Sequence, residues 1–225
     1  KNMTNMDNLC VVGGSFLNCN TNELILQSKL FKNSYFLPPA DDSGVALGCA
    51  FYGSVLLTGK THQNTEWMTP YLGKTYSDQE INLDITKFNN IKVSRLTEEK
   101  STQLAAQYLS ENKVIGWFNG GSESGPRALG NRSILANPSS KWIVEYINSE
   151  IKKREWYRPF APSVLFEEQS KIFELDVYSP YMLITTSVKP EWKDKIPGVT
   201  HFDYTSRYQS VTKESNLKYY KLISE

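Results

Sequence analysis

One stretch constrains this chain more than any other, and it runs Gly-Trp-Phe-Asn-Gly-Gly-Ser-Glu-Ser-Gly-Pro-Arg-Ala-Leu-Gly-Asn-Arg-Ser from Gly116 to Ser133. It follows an apolar run, Val114 to Phe118, that reads as a strand, and it sets Gly120, Gly121, Gly125, Pro126 and Gly130 around Arg127 and Arg132. Such a loop cannot continue a helix or a sheet. Its glycines let backbone approach a bound group closely, and arginine forks match the oxygens of phosphate or carboxylate in pairs. A second basic cluster, Lys152, Lys153, Arg154 and Arg158, ends in Pro159-Phe160-Ala161-Pro162. From Arg127 to Arg158 there are seven Lys/Arg against three Glu, in a chain whose net charge is only +1. The charge is therefore local, and it points to an anion site for a phosphorylated small molecule. The bland alternative is a turn-rich loop with solvated surface arginines.

With 225 residues, 40% of them hydrophobic and 22% charged, the chain has enough apolar side chains for one large domain or two small ones. The near-zero net charge gives no general attraction to nucleic acid or membrane. Cys10, Cys19 and Cys49 have no C-x-x-C spacing and read as reduced thiols of a cytoplasmic protein. The longest uncharged run, Ser43 to Gly59, falls short of the ~20 apolar residues of a membrane span. No signal peptide is visible. The chain starts at Lys1, and its final segment, Leu217 to Glu225, reads as a helix without a cap, so it is expected to be part of something longer.

The expected fold class is α/β. Leu9 to Val12 reads as a strand closed by Gly13-Gly14, Thr21 or Asn22 as the cap of a helix through Ser28, and Tyr35 to Leu37 as a second strand. Asp41-Asp42-Ser43-Gly44 opens an apolar helix to about Leu57, and carboxylates suit the positive end of a helix. Residues 58–90, with His62, Asn64, Trp67, Pro70, Gly73 and Tyr76, lack periodicity and read as a linker. Thr97 with Glu98 and Glu99 begins another helix, with Leu104, Ala105, Tyr108 and Leu109 on its apolar face. The spacing of Ile143, Ile147 and Ile151 predicts a further helix, stopped before Pro159. Tyr181 to Val188 reads as a strand.

No dinucleotide fingerprint or P-loop is present, because the required spacings and the Lys-Ser/Thr pair are missing. Asp42, read from position alone, is a helix cap or a metal ligand. His62 and His201 are the only histidines, and no His-x-x-x-His pair exists, so sequence signals do not complete a metal site.

Gly125-Pro126-Arg127-Ala128-Leu129-Gly130-Asn131-Arg132-Ser133-Ile134-Leu135 closely resembles the signature of the nodulation- and antibiotic-type O-carbamoyltransferases. Ile151 to Glu155, Arg158 to Ser163, and His201-Phe202-Asp203 with Thr205, Arg207 and Gln209 resemble further blocks of that family. So do Gly13-Gly14 to Asn18 and Pro38 to Gly48. The resemblance covers nearly the whole chain in register. It implies the C-terminal piece of an actin-like ATPase (Kae1-like) domain over residues 1–57, a linker over 58–90, and a YrdC-like α/β domain with a twisted mixed sheet over 91–225, truncated at its C-terminus.

For activity, the resemblance implies that carbamoyl phosphate and ATP form carbamoyl adenylate, and that the carbamoyl group then passes to a substrate hydroxyl at an iron site. Mg(II) with the ATP is a further expectation. Arg127, Lys152, Arg158 and Arg207 would surround the phosphates as catalytic cations. Gly13, Gly14, Asn18, Arg132 and Ser133 would bind nucleotide, and Asp42 would be one Fe(II) ligand. The expected partners are a small-molecule hydroxyl acceptor and the remainder of the same polypeptide, without membrane or nucleic acid. Two departures stand out: Gly121 occupies a place where the family often has arginine, and neither the upstream His-x-x-x-His nor the family's Asn-Thr-Ser-Phe-Asn strand is in this sequence. The rival reading is a nucleotide- or RNA-binding module of YrdC-like fold that has lost catalysis. The lack of a basic stripe argues against it.

Overall fold

The computed structural model describes residues 1–61 and 69–225; His62, Asn64 and Trp67 of the predicted linker lie outside the described residues. The first unit is a strand–helix–strand. Strand β1 (Asn8–Val11) pairs in parallel with β2 (Asn33–Phe36), and helix α1 (Cys19–Gln27) connects them. The cap of α1 is Asn18 and not Thr21 or Asn22: the Asn18 side chain accepts from the Thr21 amide at 3.3 Å. Asn22 is instead fully buried, and its Nδ2 donates to Phe16 O and Leu183 O, each at 2.8 Å. A tertiary demand took the residue that local propensity assigned to the cap.

Helix α2 (Ser43–Thr58) is apolar, yet none of its residues is buried. Val45, Tyr52, Leu56 and Leu57 all stand exposed. Helix α3 (Asp78–Ile85) lies within the stretch read as linker. It opens on a full capping box, with Ser77 and Glu80 each satisfying the other's backbone amide.

The C-terminal half holds α4 (Glu98–Ser110, capped by Thr97), an antiparallel ribbon of β3 (Ile115–Phe118) with β4 (Arg132–Leu135), and α5 (Trp142–Tyr146). The helix of α5 does not run on as the isoleucine spacing predicts. It widens into a π turn over Ile147–Ile151, in which the Lys152 amide reaches back to Ile147 O at 2.8 Å. Strand β5 (Ser163–Leu165) pairs in parallel with β8 (Gln209–Val211) beyond α6 (Gln169–Ile172), and β6 (Thr185–Ser187) pairs antiparallel with β7 (Thr205–Arg207). Helix α7 (Leu217–Ser224) closes the chain. The strands are three or four residues long and pair two by two, so the described residues form an α/β fold of four small ribbons.

Three apolar clusters hold these pieces together. One joins Val11 of β1 and Phe36 of β2 to Leu129 of the Gly/Arg loop and to Tyr181, Met182, Leu183 and Ile184. The N-terminal unit and the arginine loop therefore share one core. A second cluster packs α4, β3, β8 and α7 through Ala105, Trp117, Val211, Tyr219 and Leu222. The third gathers Val164, Phe173, Val188 and Tyr208. Among the described residues no helix is long and apolar enough to cross a membrane.

Candidate functional site: a pair of half-buried arginines

The Gly/Arg loop is shaped from within by Glu123. Its Oε1 accepts the backbone amides of Leu129 (2.7 Å), Asn131 (2.9 Å) and Arg132 (3.2 Å), so one carboxylate folds the chain around Arg127. Gly130 sits at φ +102°, and a Cβ there would lie 2.3 Å from the Tyr219 ring, so only glycine fits. Tyr71 Oη and Gln209 Nε2 both donate to Leu129 O, at 2.8 and 3.0 Å. A strap over residues 70–73 completes the seat: the Gly73 amide bonds Ser122 O and the Ser124 amide bonds Pro70 O. At Gly121 a Cβ would meet Tyr71 O at 2.7 Å and Gly73 O at 2.8 Å. The glycine that departs from the resembled pattern is thus required by the strap that lies across it.

Arg132 and Ser133 are used inside this loop. The terminal nitrogens of Arg132 donate to four backbone carbonyls, Asn119, Gly120, Asn131 and Lys74, while its guanidinium stacks 3.5 Å above the Phe118 ring. Ser133 Oγ accepts the Gly130 amide at 2.9 Å. Both are placed as braces of the loop, and four of the five Arg132 donors are engaged.

Arg127 and Arg207 are the opposite case. The Nε of each is buried and has no hydrogen-bond partner, and no carboxylate pairs with either among the described residues. They stand close enough that the charge of Arg127 depresses the pKa of Arg207, after burial, which depresses it more. Even half-buried, a cation with an unpaired Nε–H and no counter-charge costs stability, and two side by side cost more. An anion placed here would supply the missing counter-charge.

The positive charge extends outward from this pair. Arg154 lies next, its charge felt by Arg207, and its Nε donates to Asn148 Oδ1 at 2.7 Å. Its own pKa is lowered by burial first and by Arg158 second. Asn148, fully buried, also donates to Trp156 O (2.9 Å) and Arg158 O (2.8 Å) and so fixes the 154–158 turn. Arg158 is 53% exposed and ion-paired through Nε to Glu155 Oε2 at 2.8 Å. Lys152 is exposed at the end of the π turn, and its ammonium makes no hydrogen bond or ion pair among the described residues. Of the four predicted cations, the structure brings Arg127 and Arg207 together, links Arg158 to them through Arg154, and leaves Lys152 at the surface. Arg154 and Asn148 carry roles that the sequence reading did not give them.

His201 stands beside Arg207 with Nδ1 3.1 Å from Thr205 Oγ1. Burial and then the Arg207 charge lower its pKa, against the opposing pull of Asp203. It lines an open cleft of about 520 Å³ with exposed Trp156, Tyr157, Phe202 and Tyr204 at its rim. Gly13 and Gly14 form an open turn after β1, Gly13 at φ +99°, with nothing within 4 Å of where their side chains would be. Asp42 is exposed at the start of α2 and makes no cap bond. Its neighbour Asp41 does the capping, accepting the Ser43 amide at 3.2 Å and its hydroxyl at 2.5 Å. Among the described residues no three His, Cys, Asp or Glu side chains gather as a metal ion would require. Asp42 by itself does not fit an iron site.

Residues 106–225 match the family model for the carbamoyltransferase C-terminus, and residues 1–51 match that for the carbamoyltransferase N-terminus. The chain belongs to the carbamoyltransferase family. It is similar to nodulation protein NolNO of Sinorhizobium fredii (37% identical over 99% of this chain and 33% of that protein). Nodulation protein NolO of Bradyrhizobium diazoefficiens (37%, 98% and 41%) and nodulation protein U of Rhizobium fredii (34%, 97% and 35%) are further relatives. The chain thus spans between about a third and two fifths of the length of these relatives.

Proposed function

We propose that this chain carries the phosphate-handling site of an ATP-dependent O-carbamoyltransferase, in which carbamoyl phosphate and ATP yield carbamoyl adenylate. Atom balance requires one water, with pyrophosphate and inorganic phosphate as the other products. The observation that carries the reading is the pair of buried, unpartnered Nε–H groups of Arg127 and Arg207. A phosphate placed between them satisfies both donors and removes their mutual repulsion. Fixed cations also meet the charge that develops on a phosphate leaving group, at no cost in reorganisation. Arg154 and Arg158 extend the field toward a second phosphate-bearing substrate, and the aromatic-rimmed cleft beside His201 gives room for a ring. Residues 91–225 are read as a YrdC-like domain and 1–57 as the end of a Kae1-like one. Transfer of the carbamoyl group to the hydroxyl acceptor, in the cytoplasm, would draw on more of the polypeptide than these 225 residues.

The test is pyrophosphate release by the 225-residue protein with Mg-ATP. Release that requires carbamoyl phosphate and is lost in Arg127→Ala supports the reading. Release without carbamoyl phosphate, or unchanged in Arg127→Ala, contradicts it.

A further inference from the structure

The loop that carries Arg127 and the strand that carries Arg207 are tied by a hydrogen bond two residues along the chain from each arginine. Gln209 Nε2 donates to Leu129 O at 3.0 Å, and the bond is buried. Only Tyr208 separates Arg207, the end of β7, from Gln209, the start of β8. Residues two apart on an extended chain project to one side, so Gln209 and Arg207 share a side of that strand. Leu129 is held in other ways too: its side chain sits in the first apolar cluster, its amide donates to Glu123, and its carbonyl also accepts from Tyr71 Oη. The far end of the Gln209 amide fixes which way it points. Tyr219 Oη donates to Ser163 Oγ at 2.9 Å, and the Ser163 hydroxyl donates to Gln209 Oε1 at 2.8 Å. A backbone carbonyl only accepts, so the amide nitrogen faces Leu129 O. Ser163 is also the register partner of Gln209 in the β5–β8 ribbon. The result is a chain of hydrogen bonds from α7 through β5 and β8 to the arginine loop. A buried amide satisfied at both ends fixes geometry more narrowly than an apolar side chain, because slippage strands its polar groups.

Two guanidinium groups repel, so the loop must be held against the strand for both to face one anion. We propose that Gln209 is a positioning residue for the phosphate site: its bond to Leu129 O sets the spacing of Arg127 and Arg207 at which one phosphate engages both. This rests on the reading of the arginine pair as a phosphate site, and it adds what keeps the pair in register. Gln209 touches no phosphate itself, and its effect on binding passes through Arg127. That dependence separates it from a residue that merely stabilises the fold, since two substitutions acting through one contact do not add.

The experiment is a calorimetric titration of the 225-residue protein with inorganic phosphate and, separately, with carbamoyl phosphate, with a melting curve for each variant. The variants are Gln209→Met, Arg127→Ala, the two combined, and Leu222→Ala, which opens a cavity in the second apolar cluster and leaves the tie itself intact. Methionine matches glutamine in length and lacks the donor. The expected result is affinity about tenfold weaker in Gln209→Met, and within about twofold of wild type in Leu222→Ala although that protein melts lower. In the Arg127→Ala background, adding Gln209→Met should weaken binding by less than about twofold more. A full tenfold further loss there, or equal weakening in Leu222→Ala, would show that Gln209 only supports the fold. Wild-type affinity in Gln209→Met, alongside loss in Arg127→Ala, would overturn the positioning role and leave the arginine reading intact. Unchanged binding in Arg127→Ala would overturn the arginine reading itself. Gln209→Glu, which keeps an acceptor for Ser163 and lacks the donor to Leu129 O, is expected to weaken binding as much, and it carries the test if Gln209→Met does not fold. Arg127→Lys replaces Arg127→Ala in the cycle if the alanine variant binds too weakly to titrate.

Discussion

Arg127 and Arg207 stand side by side, half-buried, with neither Nε–H paired, so two like charges are held together with no counter-ion among the described residues. Holding such a half-buried pair together costs stability that a bound anion would recover. Replacing Arg207 by methionine, similar in length and uncharged, is expected to leave ligand-free stability unchanged or raise it by about 1 kcal/mol while abolishing phosphate-induced stabilisation. Urea melts with and without carbamoyl phosphate measure both. A loss of more than about 2 kcal/mol without ligand would mean that Arg207 is a structural partner.

Glu123 shapes the Gly/Arg loop from within. Three backbone amides converge on a single carboxylate oxygen. Glu123→Ala leaves them without that acceptor and is expected to cost about 3 kcal/mol, the scale for losing bonds to a charged group and stranding their donors. Chemical denaturation checks it. A change below about 1 kcal/mol would show that water or a neighbouring group takes over the amides.

Gly130→Ala tests the contact with α7. The added methyl meets both a left-handed backbone and the Tyr219 ring at 2.3 Å, so a loss of at least about 2 kcal/mol is expected. Adding Tyr219→Leu should recover only part of it, because the backbone strain at φ +102° remains. Full recovery in the double variant would assign the whole effect to the ring.

His201 gives the site a pH signature of known sign. Its folded-state pKa lies below the ordinary 6.5, chiefly through burial and further through Arg207. Below pH 6.5 the unfolded chain therefore takes up a proton that the folded protein refuses, and stability falls as pH drops from 6.5 toward the lowered value. Above 6.5 this contribution is fully present. His201→Asn should remove that part of the slope between pH 6.5 and the acid limb, as read from urea midpoints across pH. An identical slope in the variant would place the proton uptake elsewhere.

Much of this was legible in the residues, but unevenly. The Gly/Arg loop, the strand before it and the helix opened by Thr97 follow from turn chemistry, apolar patterning and a cap that act within a few residues. What the pattern could not resolve depended on distant partners. Asn22 looks like a cap, but Leu183 O claims it, and Asn18 caps in its place. The isoleucine spacing fits an α-helix and a π turn equally well, and Asn148 inside that turn is committed to Trp156 and Arg158. Helix α3 carried its Ser-x-x-Glu signal at Ser77 and Glu80, which the surrounding polar stretch obscured. Tyr181 to Ile184 have strand composition but serve as core, while Thr185–Ser187 pair with β7 and Val188 bridges to Phe173. At the site, Arg127 and Arg207 carried a motif signal that named their role. Arg154 lay in the basic cluster and in a matched block, but its placement comes from Asn148 and is visible only in three dimensions.

The measurement that tests the account most directly is calorimetric titration of carbamoyl phosphate into the wild-type protein and into the Arg127→Ala/Arg207→Ala double variant. The account predicts saturable one-site binding to the wild type. In the folded double variant it predicts a loss of at least about 3 kcal/mol, since two charge-assisted contacts go together. Equal affinity in the two proteins, with the double variant shown to be folded, would contradict the central claim that the arginine pair is the phosphate site.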